Sequence, residues 1–267
     1  MSGNKQLEGI ADNGKAMLEE YEDLLVRRDQ LYKEAASYMV TYTKEFGDMI
    51  TENFQLKVEC IKKKKTISYC RRRMNRGLPI DTERMEIEID EEMTLYYTQL
   101  DDLLRETEQA KNAETIGQFR YNRAKKIYRR LAKQLHPDIN GRTMENEELK
   151  ELWNRITAAY RISNVDELED LEVLVRKTME ELGESGFDLD LSNIEERIER
   201  VERQINDILL TEPYTYGEIL SDEKKKESLR ERLREEHDDF ERYLESLNST
   251  LNEMLNQEGV KIVWKMN

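Results

Sequence analysis

Apolar side chains recur along much of the chain at alternating steps of four and three positions, the spacing of helices that pack side by side. The first such seam comprises Tyr42, Phe46, Met49, Asn53, Leu56, Cys60, Lys63, Ile67, Cys70 and Met74. Gly77 then ends this helix, and Pro79 and Asp81 begin the next one. The second seam comprises Ile89, Met93, Tyr96, Leu100, Leu103, Thr107 and Ala110. The two seams predict an antiparallel coiled-coil arm over residues 1–112, with its tip near residues 75–81.

A group of shorter helices is predicted over residues 113–182. No breaker separates the arm from residues 125–135, so the pattern predicts one continuous helix across that boundary. Residues 149–160 carry one apolar helical face. Asn164, with Glu167 three positions later, is the pattern of an N-cap that begins a further helix. The region is therefore expected to form a helical domain that merges with the arm.

A second helical hairpin is predicted for the last part of the chain. Residues 183–192, GESGFDLDLS, have the composition of a linker. After the linker, the apolar residues of segment 194–208 step by four and three, and those of segment 233–254 do the same. We expect these two seams to pack against each other within residues 193–267, with the apolar stretch VKIVWKMN as a tail.

Composition supports an all-α fold. The chain has 267 residues but only 11 Gly and 3 Pro, which are too few turn residues for a sheet-rich protein. With 37% apolar residues, burial along helix seams in an elongated molecule is expected. Cys60 and Cys70 would lie about 15 Å apart on one helix, so we expect small buried thiols and no disulfide. No secretory segment opens the sequence and no apolar run approaches a bilayer span, which favours a cytoplasmic protein without a membrane span.

Charge is distributed unevenly along the chain. Residues 62–76 contain eight basic residues and no acidic one, and residues 115–137 contain seven basic residues and no acidic one. The whole chain has a net charge of −15. Outside the two stretches it has 28 basic and 58 acidic side chains, which is a net charge of −30. Two basic islands therefore interrupt an acidic chain.

The basic island beside the predicted tip is a candidate anion-binding site. Its clustered cations are Lys62, Lys63, Lys64, Lys65, Arg71, Arg72 and Arg73. Such a cluster can bind phosphate backbones or anionic lipid head groups. It can equally pair with acids just beyond the turn, such as Glu83, Glu86 and Glu88. The antiparallel arrangement favours the pairing, so nucleic acid is not expected as a partner.

The second island is a basic helix that ends at an unusual turn. One face carries a stripe of cations at spacings of three, four and three: Arg123, Lys126, Arg130 and Lys133. A solvated face usually mixes both signs, so the absence of acids favours a binding surface, with an ordinary solvated face as the alternative. Pro137 disfavours the α conformation at His136, so we expect the helix to end there with an exposed imidazole, while Asp138 opens a loop.

These residues resemble the J-domain co-chaperones, whose signature is a basic helix ending in His-Pro-Asp, a loop and an antiparallel helix. YRRLAKQLHPDIN matches the second helix of that family and ELWNRITAAYR matches the third. The resemblance covers about residues 113–174. It implies a J-like domain that docks on a DnaK-type heat-shock chaperone and stimulates its ATPase. It implies that the trigger is His136, Pro137 and Asp138, and that the docking charges are Arg129, Arg130, Lys133 and Lys126.

The resemblance leaves the flanking helices unmatched. The family's short first helix has no counterpart before residue 113, and the helix near residues 21–31 is expected to take its packing place. The predicted coiled coils would hold a client protein or a second copy of the chain. The alternative is a coiled-coil scaffold or interaction protein whose J-like domain is vestigial.

Catalysis finds no support in the sequence. It has no Gly-rich phosphate loop, no cluster of metal ligands and no nucleophile beside a base. We therefore expect neither an enzyme nor a bound cofactor or metal. His237 falls on an apolar seam and is expected to be a packed residue.

Overall fold

A computed structural model describes residues 2–113, 117–182, 193–256 and 260–263 of the chain, and it confirms the all-α class. Within these ranges the fold has nine helices and one pair of two-residue strands. In chain order the elements are α1 Ser2–Asn75, β1 Ile80–Asp81, α2 Thr82–Asn112, α3 Gln118–Leu135, α4 Arg142–Glu145, α5 Glu147–Arg161, α6 Val165–Glu181, α7 Ile194–Leu210, α8 Tyr216–Leu220, α9 Glu223–Leu255 and β2 Ile262–Val263. The predicted linker at 183–192 lies outside the described residues.

The chain forms two compact units whose boundaries differ from those predicted. Unit 1 comprises Met1–Tyr38 and Glu114–Tyr216, and unit 2 comprises Met39–Ala113 and Gly217–Asn267. Because α1 is one continuous helix of 74 residues, it contributes its first half to unit 1 and its second half to unit 2. The boundaries predicted from the sequence treated each stretch of chain as one domain and therefore missed this division of α1.

Unit 1 is built around a core of α3, α5 and α6, to which α1 contributes Val26. The fully buried members include Leu131 of α3, Ile156 of α5 and Leu168 of α6. The contact of Val26 confirms that the helix near residues 21–31 packs here. The Asn164 side chain accepts a hydrogen bond from the backbone N–H of Glu167, which confirms the predicted cap of α6.

Helix α7 packs on α1 within unit 1, and this corrects the predicted second hairpin. The buried face of α7 comprises Ile194, Ile198, Val201, Ile205 and Ile208. These side chains cluster with Tyr21, Leu25 and Leu31 of α1. The seam on α9 instead places Leu229 and Leu233 against Phe46 of α1 in unit 2. Seams with equal spacing can pair interchangeably, so the spacing indicates that each helix has a partner without specifying which one.

Unit 2 places α2 and α9 along the second half of α1. The Thr51 and Thr107 hydroxyls lie 3.2 Å apart, while Cys70 lies near Met85. Positions on α2 therefore fall as positions on α1 rise, which is the antiparallel order. The predicted burial of Cys60 and Cys70 as free thiols is confirmed. Coiled-coil geometry in this region stays a prediction.

A turn follows the end of α1, and the segment after α9 pairs with the chain beyond that turn. Gly77 adopts a positive φ of 64°, a conformation that favours glycine, and Asp81 caps α2 by accepting from the Arg84 N–H. β1 and β2 then pair in parallel, with the Ile80 N–H donating to the Lys261 carbonyl at 2.7 Å. This small sheet has no counterpart in the sequence predictions.

The expected continuity between α2 and the basic helix is wrong. Helix α2 ends at Asn112, where Ala113 turns extended and the Lys44 ammonium donates to its carbonyl. Helix α3 begins at Gln118, after an extended Gly117. Glycine has a low helix propensity, which fits the position of Gly117 just before the start of α3.

Candidate functional site

The His-Pro-Asp turn forms a corner at the end of α3, and we call residues 136–138 the HPD corner. Helix α3 ends at Leu135, and His136 leaves the α conformation with φ of −59° and ψ of 127°, as its place before Pro137 favours. The predicted exposure of the imidazole is wrong, because His136 is only 5% exposed. Its ring packs edge-on against Trp153 of α5, with centroids 5.1 Å apart.

Two charged residues of α1 cover the buried imidazole of the HPD corner, whereas the Asp138 side chain beside them remains 41% exposed. The Nε2 atom of His136 lies 3.7 Å from an oxygen of Asp29, and a guanidinium nitrogen of Arg28 lies 3.9 Å from an oxygen of Asp138. Arg28 and Asp29 also pair with each other at 3.0 Å. The first half of α1 packs on the α3, α5 and α6 core through Val26, so Arg28 and Asp29 are held beside the turn.

Burial controls the protonation of the imidazole. Desolvation lowers the pKa of His136, although the nearby carboxylates of Asp29 and Asp138 oppose that shift. The Nδ1 atom accepts a hydrogen bond of 3.1 Å from the backbone N–H of Asp138. This hydrogen bond favours the neutral tautomer with its proton on Nε2, the atom that lies 3.7 Å from Asp29 and 3.5 Å from a guanidinium nitrogen of Arg28.

Asp29 also binds a tyrosine in the core of unit 1. The Tyr128 hydroxyl donates to Asp29 Oδ2 at 2.6 Å, and the Tyr128 ring stacks on Tyr160 with centroids 4.0 Å apart. Burial, followed by the Asp29 carboxylate, raises the pKa of Tyr128 well above its ordinary value. A buried hydroxyl that lost this acceptor would be unsatisfied, so Asp29 ties α1 to α3.

A lysine of α1 makes a second tie to the same core. The Lys33 ammonium donates to the Tyr160 carbonyl at 2.7 Å and to the Ser163 hydroxyl at 2.6 Å. It also lies 4.0 Å from the centroid of the Tyr160 ring. Burial lowers the pKa of Lys33 to about 8. Lys33 and Asp29 therefore hold the first half of α1 to α3 and to the end of α5.

The cations of the basic helix are largely paired with carboxylates of the chain itself. The pairs are Arg123 with Glu169, Arg129 with Asp23, Arg130 with Glu172 at 2.6 Å and Lys133 with Glu22 at 2.9 Å. The acids come from α1 and α6, which flank α3. Lys126 is exposed and makes no ion pair with any described residue. The stripe predicted to be a binding surface is therefore mostly a salt-bridged face.

The tip cluster divides into paired and unpaired cations. Lys62 pairs with Asp90 at 3.3 Å, Lys65 with Glu92, and Arg72 with Glu88, while Arg73 donates to the Pro79 carbonyl at 2.9 Å. Of the three acids predicted as partners, only Glu88 forms such a pair among the described residues. The members without an ion pair to the described part of the chain are Lys63, Lys64, Arg71 and Arg73, and Arg73 bonds only to that carbonyl.

The residues that cover the HPD corner were missed at the sequence level. Arg28 and Asp29 lie more than 100 positions before the corner, in a segment expected only to pack beside it. The available signal was charge complementarity, because Glu22, Asp23 and Asp29 form an acidic face of α1 that matches the acid-free helix α3.

One group of side chains that could ligate a metal occurs on α9 among the described residues. His237, Asp238 and Glu241 offer ligand atoms that lie within 4.8 Å of one another on α9. The His237 side chain is 35% exposed, so its predicted packing in a seam is wrong. Exposed acidic side chains are common on helix surfaces because water solvates them. No further observation among the described residues indicates that this group binds a metal. In the same ranges no helix is both long and apolar enough to cross a bilayer.

Comparison with protein-family models, with curated proteins and with solved structures finds no match for this chain.

Proposed function

We propose that the protein is a helical interaction or scaffold protein in which the J-like helices form a structural unit. The observation that carries this proposal is the coverage of the HPD corner by Arg28 and Asp29 of α1. A trigger residue has to reach its partner, and His136 is buried beneath a helix of its own chain. The surface that resembles a docking site is thereby used for internal packing.

The charges of α3 support the same proposal. Arg130 makes a two-pronged contact with Glu172, at 2.6 and 2.9 Å, and Lys133 contacts Glu22. A partner that docked on these cations would have to replace carboxylates that are already in place. Carboxylates of unit 1 therefore already neutralise most of the cations that would attract an anionic partner.

The second candidate is the co-chaperone, and one observation favours it. The side chains of Arg129 and Arg130 remain 52% and 55% exposed, and Lys126 is exposed. Exposed ion pairs contribute only about 0–1 kcal/mol each, so a strongly anionic surface could exchange them. In this candidate the protein docks on a DnaK-type chaperone through α3 once α1 uncovers the HPD corner.

Single-turnover ATP hydrolysis by a DnaK-type chaperone separates the two functions. The scaffold proposal predicts that the wild-type protein leaves the hydrolysis rate unchanged. The co-chaperone predicts stimulation that is lost in His136→Gln and retained in His237→Gln, which makes the same substitution at the other histidine. An Asp29→Ala variant tests the covering helix, because stimulation by this variant alone would identify a co-chaperone held closed by α1.

A further inference from the structure

The second half of α1 displays an exposed line of cations that we call the basic strip: Lys57, Lys64 and Arg71. These residues are seven positions apart, so they follow one side of the helix over about 21 Å. Arg76, in the turn just beyond α1, is exposed and extends the same charge. All four belong to unit 2.

The packing of unit 2 leaves the basic strip uncovered. Helix α2 covers the side of α1 that carries Val58, and α9 covers the side that carries Cys60 and Ile67. The strip lies between these two sides and shares its face with Ser68 and Asn75, which are also exposed. The face is therefore polar and cationic, and apolar packing with a further helix has no basis there.

The cations of the basic strip form no ion pairs within the described residues, and acidic neighbours are few toward the tip. Residues 60–80 contain no Asp or Glu. Asp90, Glu92 and Glu88 of α2 pair with Lys62, Lys65 and Arg72. These cations lie toward α2, around the helix from the strip. Near the tip, residues 247–255 of α9 contain only Glu253, whose carboxylate accepts from Ser249. Farther from the tip, the part of α9 that contacts Cys60 carries acids such as Asp239 and Glu241. Within the described ranges no ion pair joins the strip to an acid.

We propose that the basic strip binds the phosphate backbone of a nucleic-acid duplex without reading its sequence. A duplex offers one phosphate charge per about 1.7 Å of axis, so a straight line of cations about 21 Å long can meet several phosphates at once. Helix α1 is continuous through the strip, so the cations project from a straight backbone that can lie along a rigid rod of charge. The strip carries no base-reading amide or carboxylate side chain beyond Asn75, so the binding is independent of sequence.

Other polyanions fit the strip less well. Single strands are held by aromatic side chains that stack on the bases, and the aromatic residue of this segment, Tyr69, is buried. Membrane-surface helices insert exposed apolar side chains beneath the head groups, whereas the strip interleaves its cations with Ser68 and Asn75 and has an exposed apolar neighbour, Leu78, only in the turn beyond α1. The duplex backbone is the partner that requires charge alone.

Fluorescence anisotropy of a labelled DNA duplex of about 20 base pairs tests this proposal through salt dependence. Four phosphate contacts predict that log K falls against log salt with a slope of about −3.6. The variant Lys57→Ala/Lys64→Ala/Arg71→Ala should bring the slope to about −0.9 and abolish most binding at low salt. The matched control Lys62→Ala/Lys65→Ala/Arg72→Ala makes the same charge change on paired cations and should retain most of the slope.

Three results would overturn the proposal that the basic strip binds a duplex. Absence of any anisotropy change at about 25 mM salt overturns the proposal. Equal loss of binding in the two triple variants shows diffuse attraction in place of a strip and overturns it too. Binding of the wild type to phosphatidylserine vesicles without binding to the duplex assigns the strip to membranes and also overturns it. Circular dichroism of each variant confirms that helical content is retained before binding is compared.

Discussion

The hydrogen bond between Tyr128 and Asp29 should stabilise unit 1 measurably, because it ties α1 to the core. The hydroxyl donates to a carboxylate at 2.6 Å, and Tyr128 is only 2% exposed. Hydrogen bonds to charged groups contribute about 1.5–3 kcal/mol. When the Tyr128 hydroxyl is removed, the Asp29 carboxylate, which is 18% exposed, still contacts water and the Arg28 guanidinium. These contacts compensate part of the lost hydrogen bond. We therefore expect a coupling energy of about 1–2 kcal/mol between the two side chains.

A double-mutant cycle measures this coupling. Tyr128→Phe, Asp29→Ala and the double variant are unfolded in urea, and the fluorescence of Trp153 is followed in a Trp264→Phe background. Trp153 lies 5.9 Å from the Tyr128 ring, so it reports on this core. Asp29→Ala should cost about 2–3 kcal/mol because it leaves a buried hydroxyl unpaired, and at an m-value of about 2 kcal/mol/M the midpoint falls by about 1 M.

The control cycle uses an exposed ion pair between the same two helices. Asp23 and Arg129 are both more than half exposed, so their coupling should stay near or below about 0.5 kcal/mol. A coupling below about 0.5 kcal/mol for Asp29 and Tyr128, the range of additive sites, would contradict the role given to Asp29. Equal couplings in the two cycles would contradict it as well.

Three further predictions follow from burial and packing. Burial lowers the pKa of His136, so near and below the ordinary histidine pKa of about 6.5 the unfolded state binds more protons than the folded state. The free energy of unfolding should therefore fall as the pH is lowered from 7 to 5. Urea titrations should show a smaller fall in His136→Gln. Burial raises the pKa values of Cys60 and Cys70, so a disulfide reagent followed by absorbance should label them slowly in the native protein and rapidly in urea. Gly47→Val should cost about 1–3 kcal/mol, measured by thermal unfolding, because even a Cβ would lie 3.0 Å from the Thr107 hydroxyl.

Periodicity predicted the helices far better than it predicted their partners. The cap at Asn164 and the end of α3 before His136 depend on residues within a turn of each other, and both lie where local chemistry places them. The partner of α7 depends on contacts with α1 more than 160 positions away. Several apolar seams in this chain share one spacing, so periodicity alone cannot choose among them.

At the candidate site, too, features set by neighbouring residues were predictable from the sequence, and features set by distant residues were not. The turn at His136 was predictable because Pro137 constrains the preceding residue. Its burial was not predictable, because it depends on where Arg28 and Asp29 of α1 lie in the folded chain. The pairing of Arg72 with Glu88 followed from the antiparallel order, whereas the exposure of Lys64 required the positions of both α2 and α9.

The coverage of the HPD corner is tested most directly by the reactivity of the two histidines. Carbethoxylation at neutral pH, followed by mass spectrometry of the peptides, reports on each imidazole separately, and His237 is the internal control because its side chain is 35% exposed. We expect native His136 to react at least about tenfold more slowly than His237, since modification requires local opening of unit 1, and the two rates to converge in urea. Equal rates in the native protein would show an open corner and contradict the account.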